Sequence, residues 1–268
     1  MNMSSSRKTA VVTGASSGIG AVYAQRLAAR GYDLVLVARR ADRLAALAEQ
    51  LTKAHGVDVR VLAADLEKDA DVARVETLLK EDSSVAMLVN NAGLARLRPL
   101  LETSADDAHS QVALNITALT RLTQAILPAF VARNAGTLIN VASVLAVHSL
   151  PISAVYSGSK AYVFAFTRGL QDELETTGVT VQLVLPAATA TEIWSEEVSG
   201  IPLSALRKES IMSAEDMVDA ALTGLDNGET ITWPSVADEG LWTAYDAARS
   251  SLFAATQTGM PAPRYLEA

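Results

Sequence analysis

The chain has no cysteine, which excludes disulfides, thiolate metal ligands and a cysteine nucleophile, and fits a reducing compartment. It has only three histidines, His55, His109 and His148, at no metal-ligand spacing, so no metal site is expected. Basic charge is in deficit: 22 Lys and Arg face 30 Asp and Glu, for a formal net charge of −8. A field of that sign repels phosphate backbones, and no local basic patch offsets it, which argues against nucleic acid as a partner. Long apolar runs are missing too. A spanning helix needs roughly 18 nearly uninterrupted apolar residues, and every greasy stretch here is broken earlier by Asn, Ser, Arg or Asp, so no membrane partner is expected. The run before the first glycine-rich loop is too short for a signal-peptide core, and a cytoplasmic location is the expectation. With 50% of its 268 residues hydrophobic, the chain must keep its apolar side chains in a folded core.

What is present is an alternation of short β-branched runs with longer Ala/Leu/Arg/Glu segments, the pattern of a parallel sheet with crossover helices. Strands are expected at 9–13, 33–38, 58–63, 85–89, 136–141 and 179–185, apolar on consecutive positions as strands covered on both faces require. A weaker seventh lies at 229–233. Helices are expected at 18–30, 41–55, 69–81, 104–133, 154–177 and about 238–255. Within 104–133, Val112, Ile116, Leu119, Leu122, Ile126 and Phe130 make one apolar stripe. Linkers, repeats and low-complexity tracts are absent from the sequence, which predicts one domain over 1–268 with tails at 1–7 and 258–268. Residues 189–213 lack a clear period and read as a substrate loop or lid.

Thr13-Gly14-Ala15-Ser16-Ser17-Gly18-Ile19-Gly20 stands between the first strand and the first helix. Glycines there allow a tight turn and the close approach of a pyrophosphate, which the helix N-terminus favours. A glycine loop alone is weak, since such turns also serve packing, but its place at the head of a βαβ series points to a dinucleotide. Further motifs follow in order: Asn90-Asn91-Ala92-Gly93 after the fourth strand, Asn115 in the next helix, Ser143 after the fifth strand, and Tyr156-Ser157-Gly158-Ser159-Lys160. With TGxxxGxG, NNAG and YxxxK in this order, the chain resembles the compact branch of the short-chain dehydrogenase/reductase family over residues 13–160. Pro186 with Thr189 or Thr191 extends the likeness to the sixth strand. Gly158 stands where the family commonly has Ala, at a small cost in helix propensity, and Pro186-Ala187 replaces the usual Pro-Gly. The resemblance implies a single-domain, Rossmann-like doubly wound α/β fold of about seven strands with helices on both faces.

Tyr156 and Lys160 are four apart on a predicted helix and share a face. A free phenol titrates near ~10 and is a poor base at neutral pH; a neighbouring ammonium would lower that value. Alone, each of these residues has an ordinary explanation: a half-buried helix tyrosine, a solvated lysine, a capping serine at 143. The resemblance assigns them together. It implies Tyr156 as general acid/base, Ser143 as donor to the substrate oxygen, Lys160 as tyrosine activator and nicotinamide-ribose ligand, and Asn115 as part of a proton-relay water site. It also implies cofactor contacts from Gly14, Ser16, Ser17, Gly18, Ile19, Gly20, Asn91, Ala92, Gly93, Pro186, Thr189 and Thr191, and from Asp65 and Leu66 at the adenine. Asp65 also fits a helix N-cap.

After the second strand the chain reads Val37-Ala38-Arg39-Arg40. Without an acid there to repel a 2′-phosphate, and with Arg39 in its place to pair with that phosphate, NADP(H) is expected over NAD(H). The expected activity is hydride transfer between NADP(H) and a small-molecule carbonyl or secondary alcohol. A non-catalytic redox sensor on the same fold is the alternative, and the acid/base set speaks against it. Leu94, Leu145, Ala187 and Trp194 suggest an apolar pocket, to which His148 could contribute. Residues 161–166 are apolar nearly all round, so a second copy is expected on that helix, giving a homodimer or homotetramer.

Overall fold

The computed structural model describes residues 7–266. Most of the predicted tail at 1–7 and the last two residues of the tail at 258–268 lie outside them, while the short run before the glycine loop is the first strand, at 9–13. Arg7 itself is tied down: its Nη1 donates to Gly56 O at 2.6 Å. The described residues fall into two compact units that divide between Pro234 and Ser235.

The first unit is built on a parallel sheet of seven strands in the order β3-β2-β1-β4-β5-β6-β7. These are β1 (Thr9–Thr13), β2 (Asp33–Ala38), β3 (Val59–Ala63), β4 (Val85–Asn90), β5 (Gly136–Val141), β6 (Val179–Val184) and a short β7 (Ile231–Thr232). The order reverses between β1 and β4, which opens a crevice at the carboxyl ends of those two strands. Helices α1 (Gly18–Ala29), α2 (Ala41–His55) and α3 (Asp69–Glu81) alternate with the first four strands.

Two-sided burial holds the sheet. Ala10, Val12, Leu34 and Leu36 pack with α1, α2 and α7 (Ala214–Asp226) on one face. Their neighbours Val11, Val35 and Val37 pack with α3, α5 (Leu119–Ala132) and α6 (Ala154–Glu173) on the other. Alternate side chains thus feed two cores, which is why the strands read as unbroken apolar runs. Edge strand β3 departs from that expectation: Val61 and Arg60 face solvent, and Arg60 bridges to Asp82.

The predicted helix 104–133 is divided. Ser104 caps α4 (Ala105–Val112) by accepting from Asp107 N at 3.0 Å, and a π-helical turn at Ala113–Ala118 separates it from α5. The wide turn adds one residue, so the buried face shifts by one position. Upstream, Gln111 is buried while Val112 is exposed; within the turn Asn115 is buried; downstream, Leu119, Leu122, Ile126 and Phe130 stay in the core. Along 161–166 of α6, Tyr162 bonds Thr120 through its hydroxyl at 2.9 Å and stacks on Phe166, while Gly158, Ala165 and Gly169 of the same helix are exposed.

The second unit holds α8 (Glu239–Ala255), with Asp238 accepting from Gly240 N at 2.9 Å, and no side chain of the helix is buried. Among the described residues, no helix is long and apolar enough to cross a membrane.

Candidate active site

The glycine loop fills the crevice between β1 and β4. Gly14 has φ +68°, and a Cβ there would stand 2.7 Å from Asn91 Nδ2, so only glycine lets the two loops close on each other. Asn91 is spent on that junction: its N donates to Thr13 Oγ1 at 3.0 Å and its Nδ2 to Thr13 O at 2.9 Å. Gly20 packs beneath the turn, where a Cβ would meet Gly14 O at 2.3 Å. Asn90, first of the asparagine pair, points into the sheet, donating to Thr123 Oγ1 and Asn140 Oδ1, both at 3.0 Å.

Beside the loop lies the Ser–Tyr–Lys cluster. Ser143 follows β5 and accepts from Leu145 N at 3.1 Å, and its hydroxyl lies near enough to the Tyr156 phenol to lower its pKa. One turn on, Lys160 is buried and donates from Nζ to Val141 O at 2.9 Å, with Nζ 5.9 Å from the Tyr156 ring. Withdrawal from water pushes the Tyr156 phenol up to about 12, against a smaller lowering by Ser143, and pulls the Lys160 ammonium down to about 8. The expected lowering by Lys160 does not show in this state of the protein: burial governs the phenol, and the opposing influence comes from Ser143. A Cβ on Gly93 would come within 3.4 Å of both Lys160 Nζ and Asn115 Oδ1, so the NNAG turn, the π turn and α6 converge on one point. The Asn115 amide is committed to Leu94, accepting from its N and donating to its O at 2.8 Å each, and to Ser159 Oγ at 2.9 Å.

A cavity of about 570 Å³ joins loop and cluster, within the roughly 300–1,000 Å³ usual for ligand sites. Its walls include Gly14, Ser16, Ser17, Gly18, Ile19, Arg39, Arg40, Asp65, Leu66, Asn91, Ala92, Gly93, Ser143, Tyr156, Lys160, Pro186, Thr189 and Thr191. Gly20 and Asn115 stand behind the wall. Leu94, Leu145, Ala187 and Trp194 line it as well, while the exposed His148 does not. Asp65 does not cap α3, whose N-cap is Lys68; it accepts from Glu67 N at 3.3 Å.

The two arginines after β2 diverge. Arg39 is two-thirds exposed and reaches Glu67 at 3.4 Å. Arg40 turns onto the glycine loop, its Nη2 donating to Ser16 Oγ at 3.0 Å and Ser17 Oγ at 2.7 Å. Arg43 and Glu192, which sequence reasoning passed over, join it: Glu192 receives Arg40 Nη1 at 2.6 Å and Arg43 Nη1 at 2.5 Å. Arg43 lies one turn beyond Arg40 on α2, a spacing that could have been noticed, but nothing local to Glu192 signals its partners.

A 3-2-1-4-5-6-7 parallel sheet with a glycine loop at its switch point defines the class: a Rossmann-like doubly wound α/β protein. The Ser–Tyr–Lys cluster beside that loop narrows it. The chain belongs to the short chain dehydrogenase family, whose model matches residues 8–201. It is similar to the short-chain dehydrogenase from Sphingobium yanoikuyae in complex with NADPH, at 43% identity and TM-score 0.92, covering 96% of this chain and 100% of that one. The bulky-bulky ketone specific alcohol dehydrogenase from Comamonas testosteroni matches at 38% identity and TM-score 0.89, over 97% and 98% of the two chains. Among curated proteins, the very-long-chain 3-oxoacyl-CoA reductase of Anas platyrhynchos is 34% identical over 69% of this chain and 60% of its own length. Human (Homo sapiens) 17-beta-hydroxysteroid dehydrogenase type 3 is 36% identical over 68% and 59%. The matched segment thus spans about three fifths of those two relatives.

Proposed function

We propose that this chain is an NADP(H)-dependent oxidoreductase that interconverts a bulky apolar ketone and its secondary alcohol, with Tyr156 as general acid/base. One observation carries the reading: the Tyr156 phenol, Ser143 and Lys160, the last one turn along the same helix, open onto the same cavity as the glycine loop. The residues fit the cofactor. The cradle at Gly14 leaves no room for a Cβ, and the Arg40 guanidinium lies over Ser16 and Ser17 at the start of α1, where phosphate charge is favoured. Arg40 and the serines would hold phosphate, Asp65 and Leu66 the adenine, and Lys160 the nicotinamide ribose. When bound, the cofactor supplies or accepts the hydride.

The chain's own residues manage the oxygen. The Ser143 hydroxyl donates to the carbonyl oxygen and polarises it, and the Tyr156 O–H delivers the proton as negative charge develops there. A phenol held near 12 is protonated at neutral pH, so this state is prepared to donate, as reduction requires. The buried Lys160 ammonium stabilises the phenolate left behind. Leu94, Leu145, Leu150, Trp194 and Val198 keep water from the reacting oxygen with apolar walls. That lining, and relatives named for bulky ketones, steroids and long-chain oxoacyl groups, support a large apolar substrate. Oxidation of NADPH with aryl and alicyclic ketones carrying large groups on both sides tests this. Turnover confined to small aldehydes, or equal use of NADH, contradicts it.

A further inference from the structure

The segment that follows β6 returns across the cofactor cleft. A parallel bridge between Thr189 and Met212 pins its base, and Trp194 Nε1 donates to Thr189 O at 2.9 Å. Thr191 lies against the glycine loop: its Cγ2 is 2.8 Å from where a Cβ on Gly18 would stand. The next residue, Glu192, places its two carboxylate oxygens on two different guanidinium groups, Oε2 on Arg40 at 2.6 Å and Oε1 on Arg43 at 2.5 Å. Arg40 meanwhile keeps Nε and Nη2 on Ser16 Oγ at 3.2 and 3.0 Å, and Nη2 on Ser17 Oγ at 2.7 Å. An anion bridging two arginines, with two serine hydroxyls and the first turn of α1 beside it, has the surroundings of a bound phosphate monoester.

We propose that Glu192 sits in the position taken by the 2′-phosphate of NADP(H), as an internal competitor that tempers the preference of the site for NADP(H) over NAD(H). The proposal rests on the NADP(H) reading above. The phosphate carries more charge and more acceptor oxygens than the carboxylate, so it wins the guanidinium groups, but its net gain is reduced by the ion pairs it replaces. A cofactor lacking that phosphate has nothing with which to displace Glu192, and its affinity is indifferent to residue 192. Displacement also frees the stretch that carries Ile193 and Trp194 on the substrate side of the cavity. Occupancy of the adenosine end is thereby felt where the ketone binds, through one side chain that touches neither reacting atom.

Adenosine 2′,5′-bisphosphate and 5′-AMP probe this without the nicotinamide. Calorimetric titration of the full chain, at low ionic strength, compares wild type with Glu192→Gln and Glu192→Ala. Glu192 is about half exposed (side chain 53%), so both variants should fold. The expected result is bisphosphate binding tightened about three- to tenfold in both variants, the worth of one or two exposed ion pairs, with 5′-AMP unchanged within about twofold. In parallel, the bisphosphate but not 5′-AMP should change the emission of wild-type Trp194, identified by its loss in Trp194→Phe. Equal or weaker bisphosphate binding in both variants, where wild type still prefers the bisphosphate, overturns the role of Glu192 alone. A wild type that binds both probes equally overturns the NADP(H) reading, and this proposal with it.

Discussion

Lys160 shows what it costs to build this site from single residues. Its ammonium is buried and donates to Val141 O, and its ordinary value of 10.5 is pulled down to about 8 by loss of water. Between those values the unfolded chain holds a proton that the folded chain has released, so stability rises with pH across that window. The opposite contribution of Tyr156, raised from 10.0 to about 12, is fully present below pH 10 and lost only above it. Thermal melts of wild type and Lys160→Met from pH 7 to 10 should therefore show a difference that moves in favour of wild type as pH rises; a constant difference contradicts the burial argument. The two arginines after β2 separate in the same residue-level way. Arg40→Ala removes a charged donor from the phosphate position and should lower kcat/KM with NADPH about ten- to hundredfold, leaving NADH little changed. Arg39→Ala, which frees only an exposed pair with Glu67, should do much less, and the reverse ranking contradicts the placement of Arg40.

At the scale of elements, the π turn at Ala113–Ala118 is the feature that ties fold to site. It turns Asn115 inward, where the side chain answers both the N–H and the C=O of Leu94 and so fixes the strand-end loop against α6. Asn115→Ala leaves those two backbone groups unpaired in a buried place and should destabilise the protein by about 1–3 kcal/mol in denaturant titration. No loss of stability would mean that the loop finds other partners. The turn was not legible beforehand because the apolar period from Val112 to Phe130 continues through it; the extra residue answers a tertiary contact to Leu94, not a local preference. By contrast β1, β2, α2 and α3 appear at their expected residues, since two-sided burial writes uninterrupted apolar runs and Gly, Asn or Asp marks their ends. The motif residues of the cleft were legible for the same reason: their spacing is locked to strand ends. Which of Arg39 and Arg40 faces the loop, and that Glu192 meets the latter, depends on how residues 189–194 cross the cleft, and no periodicity encodes that.

At the scale of the molecule, the high apolar content finds its explanation in two cores divided by one sheet. The acidic balance of −8 coexists with a cleft whose adenosine end carries Arg39, Arg40 and Arg43 and whose reactive end carries Lys160, so attraction for an anionic cofactor is local, not global. The central claim joins these parts: a hydride-transfer site in which Tyr156 handles the proton. It is tested most directly by comparing wild type with Tyr156→Phe in two assays on the same preparation, NADPH binding and NADPH oxidation with a bulky ketone. The account predicts that Tyr156→Phe binds NADPH as wild type does while its turnover falls by about 10²–10⁴-fold. Near wild-type turnover in Tyr156→Phe would contradict it.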